Sequence, residues 1–236
     1  LQFDNLDCVT KQAPNLLKTN HKCLLRYGVE NSSNQSFIGC IADLYESIIL
    51  KNKKSISISE MKNIIKNSVS IDTFIKYNNG NLPHIFISKN FNEVSDSIII
   101  EKYESSKLYQ EIIKSSDETE VTPTSSQNNG NSKKTLFKKI INSFENFLRY
   151  LESNLTIDYT YLWDIICKRN PLLFPEGLNL IILDITIEDV TDNIKIVCPK
   201  QNYSEEFLDI KKKSLLLIKK DDYFEPIYLI NNTINN

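Results

Sequence analysis

From Phe37 onward the apolar residues return at helical intervals: Phe37, Ile41, Leu44 and Ile48 fall on one stripe. This predicts a helix from about Gln35 to Leu50, with Ser33 or Asn34 capping the open NH groups of its first turn. Ser57 and Glu60 are spaced for a reciprocal capping box ahead of Met61, Ile64 and Ile65, which predicts a second helix. A third is expected from Ser70 to Tyr77, closed by Asn78-Asn79-Gly80. Further on, Leu136, Phe137, Ile140, Ile141, Phe144, Phe147, Leu148 and Leu151 trace a wide apolar stripe on one long amphipathic helix. Asp158 can cap another helix carrying Tyr161, Leu162, Trp163, Ile165 and Ile166, which must end before Pro171.

Between these helices the period changes. His84-Ile85-Phe86-Ile87 and Ile98-Ile99-Ile100 read as short strands, and Leu108, Ile112 and Ile113 as a helical turn or two. Four strands are expected late in the chain, at Leu178 to Ile187, Ile194 to Cys198, Ser214 to Ile218 and Tyr223 to Ile230. Residues 115–134 crowd Ser, Thr, Asn, Asp and Glu around Pro123 and Gly130, the composition of a disordered linker or insertion. The fold class is therefore α+β: a helical N-terminal part with the candidate-site helix, a long amphipathic helix after the linker, and a mostly β C-terminal region completing one sheet. A long surface insertion costs little loop-closure entropy, so residues 1–236 are read as a single domain with 115–134 inserted in it.

Composition narrows the function classes. The 28 basic and 30 acidic side chains among 236 residues nearly cancel, so no global field favours a polyanion. Apolar runs are too short to cross a bilayer as helices. Cys8, Cys23, Cys40, Cys167 and Cys198 form an odd set without a CxxC pair, which argues against a disulfide framework or a zinc site and fits a reducing compartment. No metal and no cofactor is expected. Asn, Ile, Lys and Ser abound while Gly, Met and Trp number 5, 1 and 1, a bias that AT-rich codons produce; the five Asn-X-Ser/Thr sequons, such as Asn202-Tyr203-Ser204, are read as unglycosylated. The chain opens on Leu1, as an excised part of a longer protein would.

Nucleotide-binding, HExxH and GxSxG signatures are missing. One junction stands out instead. The polar segment Asn31 to Ser36 runs directly into an apolar helix with Cys40 one turn inside, where a helix dipole and converging NH groups could serve a nucleophile.

At this junction, Asn34-Gln35-Ser36-Phe37-Ile38-Gly39-Cys40-Ile41-Ala42-Asp43 resembles the ovarian-tumour (OTU) cysteine-protease block, in which Asp-Gly-Asn-Cys leads into the site helix. Laid over it, Ser36 occupies the nucleophile position, while Ser33, Asn34 and Gln35 replace the acidic residue, glycine and asparagine. The late order of strands also resembles that family, whose general base is usually a histidine followed by an aromatic on a terminal strand. Here that region reads Asp222-Tyr223-Phe224-Glu225-Pro226-Ile227-Tyr228, and no histidine follows His84. A hydroxyl nucleophile needs a positioned base, so the resemblance implies a degenerate enzyme. Leu25-Arg26-Tyr27-Gly28-Val29, Tyr161-Leu162-Trp163-Asp164-Ile165 and Leu173-Phe174-Pro175-Glu176-Gly177-Leu178-Asn179 resemble uncharacterised proteins of giant nucleocytoplasmic large DNA viruses, which implies a viral source acting in host cytoplasm or virion.

Each candidate has a plain reading beside the chemical one. Ser36 can simply satisfy an NH of its own helix start, Cys40 can be a small core hydrophobe, and His84 a satisfied histidine opening an apolar run. The catalytic candidates are Ser36, Cys40, His84 and Glu225; the binding candidates are Asn34, Gln35, Tyr223 and Phe224. His21 with Lys18, Lys22 and Arg26, and the lysines Lys211 to Lys213, Lys219 and Lys220, read as solvated faces. The first expectation is a non-catalytic viral interaction or scaffolding domain resembling an inactivated OTU-type deubiquitinase, with ubiquitin or another viral protein as partner and no membrane. The alternatives are an active OTU-like cysteine or serine hydrolase on ubiquitin-like chains, and a viral transcription component touching nucleic acid, which the balanced charge disfavours.

Overall fold

The computed structural model describes residues 2–3, 22–87, 100–113, 126–185, 194–200, 202–206 and 208–231. Their order is β1 (Gln2–Phe3), β2 (Lys22–Arg26), α1 (Ser33–Ile48), α2 (Ile58–Ser68), α3 (Ile71–Phe74), a 3-10 turn (Asn78–Gly80) and α4 (Leu82–Ile87). There follow α5 (Lys107–Ile112), α6 (Ser126–Glu152), α7 (Tyr159–Cys167), β3 (Leu178–Ile185), β4 (Lys195–Ile196), β5 (Lys213–Lys220) and β6 (Tyr223–Asn231). The class is α+β, as the periodicities predict. None of the described helices is long and apolar enough to cross a membrane.

The six strands form one mixed sheet in the order β1-β2-β6-β5-β3-β4. β3 and β5 run parallel, with Leu180 beside Leu215, and every other pairing is antiparallel. β3, β5 and β6 lie where the sequence puts them, with residues 186–187 outside the described residues, while of the strand expected from Ile194 to Cys198 only Lys195 and Ile196 pair. The sheet, however, also takes in β2 from the N-terminal part, whose Cys23 and Leu25 are buried on either side of the exposed Leu24. Five residues flanked by Lys22 and Arg26 give too short an alternation to stand out, and only pairing with β6 makes them a strand. Cys23 is disulfide-bonded, contrary to the expectation of an unbridged set, while Cys40, Cys167 and Cys198 are free thiols.

Helices α1 and α7 pack on this sheet, and α6 packs against α2 and α4. Phe137, Ile141, Phe144, Phe147 and Leu151 of α6 are buried, with Phe74 and Phe86 set 5.2 to 5.3 Å from the rings of Phe144 and Phe147. The apolar stripe thus finds its partner in aromatic residues of α3 and α4. The segment expected as linker lies partly outside the described residues, and its remainder from Ser126 forms the first turns of α6.

His84 to Ile87 is helix, not strand. Leu82 and Phe86, four apart, are both buried on one face of α4. From α6, Ser143 Oγ donates to Pro83 O at 2.7 Å and Asn146 Nδ2 to Phe86 O at 2.9 Å, satisfying carbonyls that a short helix leaves open. Four apolar residues cannot declare a period alone, and the α6 donors decide it. Of the second expected strand, Ile98 and Ile99 lie outside the described residues, and Ile100 is helical.

Candidate functional site

The expected capping box of α2 is present: Ser57 Oγ accepts the Glu60 NH at 3.2 Å, and Glu60 Oε2 accepts the Ser57 NH at 2.9 Å. The start of α1 differs from expectation. Neither Ser33 nor Asn34 caps it; Ser32 stands at the N-cap without a side-chain bond, and Glu30 Oε1 instead accepts the NH groups of Asn31 and Ser32, at 2.8 and 3.0 Å.

The polar side chains of this start reach outward to other elements. Asn34 Oδ1 accepts from Thr156 Oγ1 at 3.1 Å, and its carbonyl accepts the Ile157 NH at 3.2 Å. Gln35 Nε2 donates to Leu155 O at 3.0 Å. The loop between α6 and α7 is thereby fastened across the opening turn of α1.

Ser36 is fully buried. Its hydroxyl donates to Ser33 O at 2.9 Å and accepts the Phe224 NH, from the second residue of β6, at 3.0 Å. One proton and one lone pair are thus engaged by the backbone, and this bond ties α1 to β6 across 188 residues. The Phe224 ring packs edge-on against Phe37 at 5.2 Å and Tyr159 at 6.0 Å, closing the space over the hydroxyl with aromatic carbon. Tyr223 donates its hydroxyl to Glu30 O, holding the same strand to the loop before α1.

The other candidates are engaged elsewhere. Cys40 is buried, and its thiol is pushed far up by desolvation, with Asp43 and Glu225 adding to the shift. A low thiolate population at neutral pH follows. Glu225 accepts from Arg26 Nε at 3.0 Å and is ion-paired with that guanidinium. His84 lies exposed on α4, beside Asn78, Asn81 and Tyr203, and has no hydrogen bond to Ser36 or Cys40. The structure brings Ser36 and the 223–225 strand together through the main-chain NH of Phe224.

The nearest open concavity, about 500 Å³, lies on the far side of α1's glycine edge and is bordered by Tyr27, Glu30, Asp43, Glu46 and Ile58. Gly39 is needed there: a Cβ would stand 2.9 Å from Glu30 Cβ and 3.2 Å from Val29 Cγ2. Asp43 receives the Tyr228 hydroxyl; burial raises its pKa against the opposing effect of that bond, and Glu46 adds a further upward push. Sequence reading missed Asp43 and Tyr228 as partners, since 185 residues separate them and nothing local links them. Among the described residues, no cluster of three His, Cys, Asp or Glu is arranged to hold a metal ion.

Comparison with known proteins gives a single clear direction. No family model matches the chain, and no solved structure does. An uncharacterised protein, R327, of Acanthamoeba polyphaga mimivirus is 27% identical over 103 residues, covering 40% of this chain. The matched stretch is 6% of that protein's length. The likeness supports a giant-virus origin. It carries no statement of activity.

Proposed function

We propose that the chain is a non-catalytic interaction or scaffolding domain of a giant-virus protein, resembling an OTU-type deubiquitinase whose nucleophile and base have been lost. One observation carries the reading: the Ser36 hydroxyl, at the nucleophile position of the resemblance, is buried and holds the Phe224 NH at 3.0 Å. A hydroxyl that donates to one backbone carbonyl and accepts from one backbone NH has no base to take its proton. The fully buried position also removes the access a substrate carbonyl would require. Asn34 and Gln35, which the resemblance sets beside the nucleophile, are spent on fastening the 155–157 loop. Ubiquitin or another viral protein is the partner proposed, in host cytoplasm or virion.

The test is incubation of the full chain with a ubiquitin activity-based probe and, separately, with ubiquitin chains of defined linkage. The expected result is reversible retention of chains without covalent capture or cleavage. Covalent capture through Ser36 or Cys40 would overturn the non-catalytic reading, and absence of both capture and retention would remove ubiquitin as the partner.

A further inference from the structure

A second concavity, of about 730 Å³, opens on the opposite flank of the aromatic core, between the turn before α4, the start of α7 and residues 202–203. Its volume falls in the range of about 300–1,000 Å³ usual for small-molecule sites. Asn78, Asn81, His84, Tyr161, Asn202 and Tyr203 supply most of its wall, and none of the described residues lining it is Asp, Glu, Lys or Arg. In a chain one-quarter charged, this neutral polar lining is a property of the place and not of the composition.

The backbone at its floor is unusual. Asn78, Asn79 and Gly80 have φ of 55°, 54° and 77°, three successive residues in the left-handed region that side-chain-bearing residues adopt at a cost. The turn is held by Asp164, whose Oδ2 accepts the Asn78 NH at 2.9 Å from within α7. Its effect is to set the Asn78 side chain, only 5% exposed, against the cavity. Asn78 Nδ2 faces Thr160 O at 3.5 Å, which fixes the amide with Oδ1 turned the other way, and that oxygen is buried with no hydrogen-bond partner. A buried acceptor left unmatched is unfavourable, so a ligand donor placed there would recover that cost.

We propose that this concavity binds a neutral sugar. Hydroxyl groups are donors and acceptors at once, matching the unmatched Asn78 Oδ1 and the exposed amides of Asn81 and Asn202. The Tyr161 and Tyr203 rings give the apolar wall on which the C–H face of a pyranose packs. A flat nucleobase is served by a slot between two rings; here Tyr203 lies against Trp163, nearly parallel at 19°, and Tyr161 leans edge-on on Phe86 and Tyr150, so the rings form a wall. The absence of Lys and Arg from the described lining disfavours phosphate or carboxylate ligands. Oδ1 is sealed from solvent, so engaging it requires side chains of the lining to shift.

The site carries its own reporter, since Trp163 is the chain's one tryptophan and its ring stacks on Tyr203. The experiment is titration of the full chain with glucose, mannose and N-acetylglucosamine, and in parallel with adenosine and guanosine, following Trp163 emission. A saturable change with at least one sugar is expected, weakened about tenfold or more in the Asn81→Ala/Asn202→Ala double variant, as loss of two hydrogen bonds implies. Both residues are exposed, so an unchanged melting temperature in that variant separates lost binding from lost fold. No saturable response to any of the sugars, a response to the nucleosides alone, or a sugar response undiminished in the folded double variant would each overturn the proposal.

Discussion

The Phe224 NH is bonded to the Ser36 hydroxyl at 3.0 Å, so the first strand residues of β6 are held to the first turn of α1 by a serine side chain. Both partners are buried, and the ring of Phe224 seals the bond against Phe37.

Replacing Ser36 by Ala leaves that NH buried without an acceptor. A loss of about 1–3 kcal/mol in unfolding free energy is expected, read as a lower urea midpoint at unchanged slope. Ser36→Cys places a thiol at this position but supplies no base, so we expect it to remain unlabelled by a ubiquitin activity-based probe. Labelling of that variant would show that a proton acceptor reaches the position.

The thiols separate by burial. Cys40 and Cys167 are buried, and desolvation drives both pKa values up, Cys167 to about 12, whereas Cys198 is exposed. Iodoacetamide treatment of the native chain at mildly alkaline pH, followed by peptide mapping, should therefore modify Cys198 and spare Cys40 and Cys167 until denaturant is added. Rapid native modification of Cys40 would contradict its description as core.

Glu60 gives the clearest pH dependence. The Ser57 NH, Lys54 and the Ser57 hydroxyl hold its carboxylate down from 4.5 to about 2. The folded state therefore binds this proton less tightly than the unfolded chain, so the contribution is full above pH 4.5 and fades as the pH falls toward about 2. Glu60→Gln should flatten the stability curve in that window and leave its slope above pH 6 unaltered, measured by urea unfolding at a series of pH values (about half-unit steps).

Gly177 sits at φ +71°, and a Cβ there would lie 2.5 Å from the Cys167 carbonyl oxygen. The contact is with backbone at the end of α7, which cannot swing away as a side-chain tip can. Gly177→Ala is expected to cost about 1–3 kcal/mol or more, seen as a lowered melting temperature with the spectrum of the folded state retained. An unchanged melting temperature would mean that the β3 entry shifts freely.

The amino-acid sequence by itself determined α1, α2, α6 and α7, together with β3, β5 and β6, because each is long enough to state its period or carries its own cap: Ser57 with Glu60, Asp158 with the Thr160 NH. It also singled out the start of α1, with Ser36, as a candidate site. Tertiary structure decided what those residues do. Local spacing cannot say whether a hydroxyl will meet a base or a backbone NH, and it is β6, arriving 188 residues later, that presents the Phe224 NH to Ser36 and commits Glu225 to Arg26. The short segments went the same way: α4 is a helix because Ser143 and Asn146 donate to its Pro83 and Phe86 carbonyls, and β2 is a strand because β6 supplies its ladder. Elements of four to six residues gain too little from their own hydrogen bonds to fix a conformation, so the neighbours that pair with them make the choice.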